Sequence, residues 1–140
     1  MSIRATDDTA TGRSLHVLVA ESNETEALGL KMFLREVGHS VVGCVNTAPD
    51  AVQAAQIHRP DIVLMDVELA NGTDGIDAAF EIWLRWDIPS VLLTGCSDRD
   101  TLARARRARP LEILPKPVPP QQLRWTLVGA SALLDRRPAW

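Results

Sequence analysis

Short apolar runs and segments of helical period alternate five times along this sequence. The runs are LHVLVA (15–20), SVVGCV (40–45), DIVLMD (61–66), PSVLLT (89–94) and LEIL (111–114). Runs of this length and apolarity read as strands. Between them, residues 24–38 place Ala27, Leu30, Leu34 and Val37 on one helical face, with Gly38 as the stop. Residues 48–60 are opened by Pro49 and closed before Pro60. Residues 75–86 set Ile76, Ala79, Phe80 and Trp83 on one stripe, and residues 98–109 have only a thin apolar face. A last helix over 119–134 carries Leu123, Leu127, Ala130 and Leu134. Strand followed by helix, repeated, predicts an α/β fold: a doubly wound, five-stranded parallel sheet with helices on both faces.

Size and charge narrow the functional classes. A chain of 140 residues supports one domain with a real core. The expected domain spans 15–134, after a disordered polar lead (1–14) and before a short tail (135–140). With 46% hydrophobic residues the chain reads as soluble and globular. The lead lacks the basic start and apolar middle of a signal peptide, and no apolar run is long enough to cross a bilayer, so the expected location is the cytoplasm and no membrane partner is expected. A net charge of -3 gives no general pull toward nucleic acid. Cys44 and Cys96 are far apart and lack Cys or His neighbours, which predicts two reduced thiols rather than a disulfide or zinc site.

In a doubly wound sheet, binding residues gather at the carboxyl ends of the strands. The first strand is followed by Glu21, Ser22 and Asn23. The third ends in Asp66, the fourth in Thr94 and then Gly95, and the fifth leads into Pro115, Lys116 and Pro117. Two carboxylates, a hydroxyl and an ammonium are therefore expected on one edge. Two carboxylates favour a hard cation such as Mg²⁺, which keeps several waters. A hydroxyl and an ammonium suit phosphoryl oxygens. The lysine is notable, because Lys31 and Lys116 stand against thirteen arginines in the chain. A compact point charge at 116 suggests a specific need.

The segments HVLVAES, RPDIVLMDVEL, DGIDAA, IPSVLLTG and PKP, in this order and spacing, resemble the receiver domain of two-component response regulators. The resemblance runs from about His16 to Leu134. It implies strand order 2-1-3-4-5 and a phosphoryl group passed to Asp66 from a histidine kinase or a histidine phosphotransfer protein. It implies that Thr94 and Lys116 bind the phosphoryl oxygens, and that Glu21, Asp66 and the backbone carbonyl of Glu68 hold Mg²⁺. It also implies a cis Lys116–Pro117 bond. The chain would then be a single-domain regulator that acts by protein contact, a phosphoacceptor rather than a turnover enzyme.

Three departures bear on mechanism. Ser22 stands where the family places a second acid, so metal binding is expected to be weak. Asn23 and Glu24 follow closely, but their spacing does not make them substitutes. Ile113 occupies the usual position of a switch aromatic, and the chain has no tyrosine. Pro115 stiffens the approach to Lys116. Gly95 would leave the site open to water or donor, and Cys96 lies where the family tunes phosphoryl lifetime.

Two functions stay open: a phosphoacceptor, and a pseudo-receiver that serves as a phosphorylation-independent adaptor. A third reading, a small flavodoxin-like enzyme or nucleotide binder, lacks its glycine-rich phosphate loop, because AESNET after the first strand has no glycine. Candidate surfaces for a downstream protein partner are the arginines of the fourth helix, Arg104, Arg106 and Arg107 among Arg99 and Arg109, and an outward Trp125. Without an aromatic reader these arginines do not point to nucleic acid. Family habit leaves a homodimer through the last two helices as an open partner class.

Overall fold

The computed structural model describes residues 13–136; the rest of the expected lead and tail lies outside the described residues. The strands are β1 (His16–Ala20), β2 (Ser40–Val45), β3 (Ile62–Asp66), β4 (Ser90–Thr94) and β5 (Glu112–Pro115). They form one parallel sheet of order β2-β1-β3-β4-β5. The helices are α1 (Glu24–Glu36), α2 (Ala48–His58), α3 (Gly75–Trp86), α4 (Arg99–Arg107) and α5 (Pro120–Asp135).

Local chemistry starts most of the helices. Asn23, Thr47, Asp74 and Asp98 each accept a backbone N–H of the following first turn. The fifth helix opens instead on Pro119 and Pro120, without a side-chain cap. The two sheet faces then divide the apolar residues by period two. Leu18, Ala20, Val63, Met65 and Leu92 pack under α2, α3 and α4, while Val17, Val19, Ile62, Leu64, Val91 and Leu93 pack under α1 and α5. The central strand β3 and its neighbour β4 are buried throughout. Among the described residues no helix is long and apolar enough to cross a membrane.

The third helix departs from its expected stripe. Ile76, Ala78, Ala79 and Ile82 face the core, whereas Phe80 is 39% exposed and Trp83 is half-buried. The reason lies in the neighbour: α2 offers Ala51, Ala54 and Ala55, and small side chains let the two helices approach closely. Bulky rings are left at the rim. There Phe80 stacks on Trp83 with centroids 6.3 Å apart, and the Arg109 guanidinium lies 5.5 Å from the Trp83 ring.

At the opposite end of the sheet from the acids, His39 is buried and its Nδ1 accepts the Leu15 N–H at 3.0 Å. Burial holds this imidazole below its ordinary pKa of 6.5. The unfolded chain therefore takes up the proton first as pH falls. Stability from this site is complete above 6.5 and is lost below it, by at most ~1.4 kcal/mol per pH unit. Asparagine can replace the Nδ1 acceptor without titrating. Melting curves between about pH 7.5 and pH 5.5 are expected to fall more steeply for the native chain than for His39→Asn; parallel curves would contradict this.

Candidate functional site

The loops after β1, β3, β4 and β5 open on one edge of the sheet, as parallel strands require. Glu21 directly follows β1, where its N–H bonds to the Val45 carbonyl at 3.0 Å and keeps the chain extended. Its carboxylate is buried and accepts the Asn23 N–H at 3.1 Å. Asp66 ends β3 at 4% exposure, and its Oδ1 accepts the Glu68 N–H at 3.3 Å. The strand buried on both faces thus delivers its final carboxylate to the sheet edge, beside the other charged groups.

Lys116 is set by its own N–H, which donates to the Thr94 carbonyl at 2.8 Å, and is followed by a cis bond to Pro117. Its Nζ reaches Glu21 Oε1 at 3.1 Å, Asp66 Oδ2 at 3.3 Å and Glu26 Oε1 at 2.8 Å. Burial alone would lower the lysine pKa. Glu26, Asp66 and Glu21 outweigh that and hold it above its ordinary value, so the ammonium stays charged. Glu21 moves upward, first because it is buried and next because Asp66 lies beside it; the Asn23 N–H and Lys116 oppose the shift. An edge that raises a carboxylate in this way favours an added cation.

The donor set fits Mg²⁺. Glu21 and Asp66 would offer hard anionic oxygens, and the Glu68 carbonyl, which accepts the Ser22 hydroxyl at 3.3 Å, would offer a neutral one. Among the described residues no group of three or more His, Cys, Asp or Glu side chains is arranged to hold a metal. Two carboxylates and a carbonyl leave the remaining positions to water, a thin site. Ser22→Asp is expected to tighten Mg²⁺ by roughly tenfold, equivalent to about 1.4 kcal/mol, read by calorimetric titration. An unchanged affinity would mean the cation binds elsewhere.

Thr94 is buried, but its hydroxyl turns to the next loop: it donates to the Cys96 carbonyl at 3.1 Å and accepts the Cys96 N–H at 3.0 Å. The structure therefore brings Glu21, Asp66 and Lys116 together and leaves the Thr94 hydroxyl engaged beside them. Gly95 is exposed, with open space where a Cβ would stand, and the Cys96 sulfur accepts the Asp98 N–H at 3.3 Å. Ile113 is half-buried and lines a groove of about 500 Å³ with Thr94, Leu102 and Arg106.

The basic stretch of α4 divides. Arg104 pairs with Asp74 at 2.7 Å and reaches Asp77 at 3.6 Å, tying α4 to the start of α3. Arg106 and Arg107 are exposed, and Trp125 on α5 is 64% exposed, opposite the buried Leu123 and Leu127.

One participant escaped the sequence reading. Glu26 makes the shortest contact of Lys116, whereas the sequence offers Asn23 and Glu24 nearest the missing acid. Asn23 instead caps α1 through the Glu26 N–H at 2.9 Å. The available signal was positional: an acid in the first turn of a helix that starts at the carboxyl edge sits over that edge.

Fold and edge together define a flavodoxin-like α/β domain whose carboxyl edge joins acids to a single lysine. The chain belongs to the response regulator receiver domain family, which its sequence matches over residues 17–127. It is 43% identical over 101 residues to the transcriptional regulatory protein PdtaR of Mycobacterium tuberculosis, covering 72% of this chain and 49% of that protein. It is 27% identical to the phyllosphere-induced regulator PhyR of Methylorubrum extorquens, over 93% of this chain and 48% of that one. The chain thus spans about half the length of these relatives. Protein PilH of Pseudomonas aeruginosa, 27% identical, is covered over 97% of its length and matches 83% of this chain. The receiver domain of a modulated diguanylate cyclase from Desulfovibrio desulfuricans superposes with a TM-score of 0.82 at 29% identity, covering 88% of this chain and 98% of that domain.

Proposed function

We propose that this chain is a phosphoacceptor of two-component signalling, taking a phosphoryl group on Asp66 from a phosphohistidine and signalling by protein contact. The observation that carries the reading is the shared ammonium: Lys116 Nζ lies 3.1 Å from Glu21 and 3.3 Å from Asp66 at the end of a wholly buried strand. A buried acid beside a second acid and a lysine is a constellation that gathers at functional sites.

In the transfer, an Asp66 carboxylate oxygen forms a bond to phosphorus as the P–N bond of the phosphohistidine breaks. The electron pair of that bond returns to the imidazole. Mg²⁺, when bound by Glu21, Asp66 and the Glu68 carbonyl, supplies neutralisation of the phosphoryl oxygens. Lys116 supplies a donor to the same oxygens, and Thr94 can add its hydroxyl once it leaves Cys96. Gly95 leaves the approach open.

A second reading is supported by a different observation. The Ser22 hydroxyl bonds to Glu68 and the Thr94 hydroxyl to Cys96, which suits an adaptor that works without phosphorylation. Intact mass after incubation with a small phosphoramidate donor and Mg²⁺, then with a phosphohistidine protein, separates the two. The acceptor reading expects the mass of one added phosphoryl group. No gain with either donor would leave the adaptor. A cytoplasmic location and protein partners at Arg106, Arg107 and Trp125 belong to the same proposal.

A further inference from the structure

We propose that Glu26 is a positioning residue that holds Lys116 in the resting chain and yields it when an anion forms on Asp66, so that the groove between α1 and α5 carries the change. This rests on the reading of Asp66 as the acceptor.

An ammonium has three protons to donate. In Lys116 they face three carboxylates, Glu21, Glu26 and Asp66, at 3.1, 2.8 and 3.3 Å. A phosphoryl group on Asp66 replaces one carboxylate charge with two and offers three acceptor oxygens, so it draws on more than the single Lys116 proton that Asp66 already holds, and a second carboxylate must give way. The side chains of Glu21 and Asp66 are 1% and 6% exposed, and neither has water to turn to. Glu26 is 49% exposed, and water can replace the lysine. Repulsion acts in the same direction, because the new anion adds negative charge to an edge already rich in it. Glu26 is therefore the partner that leaves.

Its departure has a place to be read. Glu26 and Lys116 form the polar end of a cavity of about 640 Å³, lined further along by Gly29, Leu30, Phe33 and Leu123. Releasing the ion pair unties the first turn of α1 from the turn after β5 and changes the mouth of this cavity. On the other flank the switch position holds Ile113, whose side chain has no polar atom to exchange partners.

Trifluoroberyllate, an anion that adds to carboxylates as a phosphoryl group does, tests this at saturating Mg²⁺. The full chain and Glu26→Gln are titrated by NMR, following backbone amides and the Lys116 Nζ resonance. Glutamine keeps the size of the side chain and removes only its charge. The expected result is tighter binding by Glu26→Gln, about fivefold or more, the lower range for coupled sites. The resting Lys116 resonance of the variant should already be displaced toward the bound position, and the Gly29 and Leu30 amides should respond strongly only in the native chain. Equal binding with an unmoved Lys116 resonance would overturn the role of Glu26 and leave Asp66 as the acceptor. Weaker binding by the variant would also overturn it, placing Glu26 with the metal. Binding by neither protein would overturn the acceptor reading and this inference together.

Discussion

Asp66→Asn is expected to lose phosphoryl uptake entirely and to gain stability. The first effect follows from chemistry: an amide oxygen is a poor nucleophile toward phosphorus, and no other carboxylate at the edge has the Asp66 position. Glu21 is held by the Asn23 N–H, and Glu26 lies on the α1 side of the lysine. The second effect follows from electrostatics. Two buried carboxylates lie side by side, and Asp66 helps drive the Glu21 pKa upward. An amide keeps the acceptor for the Glu68 N–H and removes the repulsion, while Lys116 retains Glu21 and Glu26. A gain of about 1 kcal/mol is expected, the usual scale when a site built for function is relieved. Chemical denaturation and intact mass measure the two effects. A variant that is less stable and still takes up phosphoryl would remove Asp66 from both roles.

Gly75→Ala is expected to cost about 2–4 kcal/mol, more than any surface change in the chain. This glycine opens α3, and a Cβ built on it collides with the Asp66 carbonyl oxygen and comes within 2.9 Å of its carbon. The obstruction is backbone, not a side chain that can rotate away. The same approach is fixed by the Gly75 N–H, which donates to the Val67 carbonyl at 2.8 Å. A methyl group therefore forces α3 away from the end of β3 and moves Asp66 with it. The denaturation midpoint should fall, and the surviving folded protein should take up phosphoryl more slowly. A loss below about 0.5 kcal/mol, typical of a neutral surface site, would mean that α3 can shift freely.

The legibility of the chain follows the range of the forces involved. Strand β3 was readable because an apolar run ending in Asp66 has one sensible place in a parallel sheet, the carboxyl edge. The alternation of elements predicted the parallel sheet, the family resemblance implied its strand order, and that is the order found. The stripe of α3 was misjudged because its inner face depends on the alanines of α2, a neighbour whose distance no periodicity reports. Glu26 was missed for a related reason. Its partner is 90 residues away in sequence, and only the folded turn after β5 brings Lys116 to the first turn of α1. Thr94 ends β4 at that edge, but the hydrogen bonds of its hydroxyl to Cys96 depend on the local course of the next loop. Residue types and ends of elements are local matters; which polar atoms finally meet is not.

The central claim is that a phosphoryl group resides on the Asp66 carboxylate, and its most direct test is chemical. The chain is phosphorylated with the donor that gives the mass gain, reduced at once with borohydride, digested and sequenced by mass. Borohydride reduces an acyl phosphate to an alcohol, so an aspartyl phosphate becomes homoserine. The account predicts homoserine at position 66 and unchanged carboxylates at Glu21 and Glu26. Homoserine at another aspartate, or a phosphorylated chain with Asp66 intact, would contradict it.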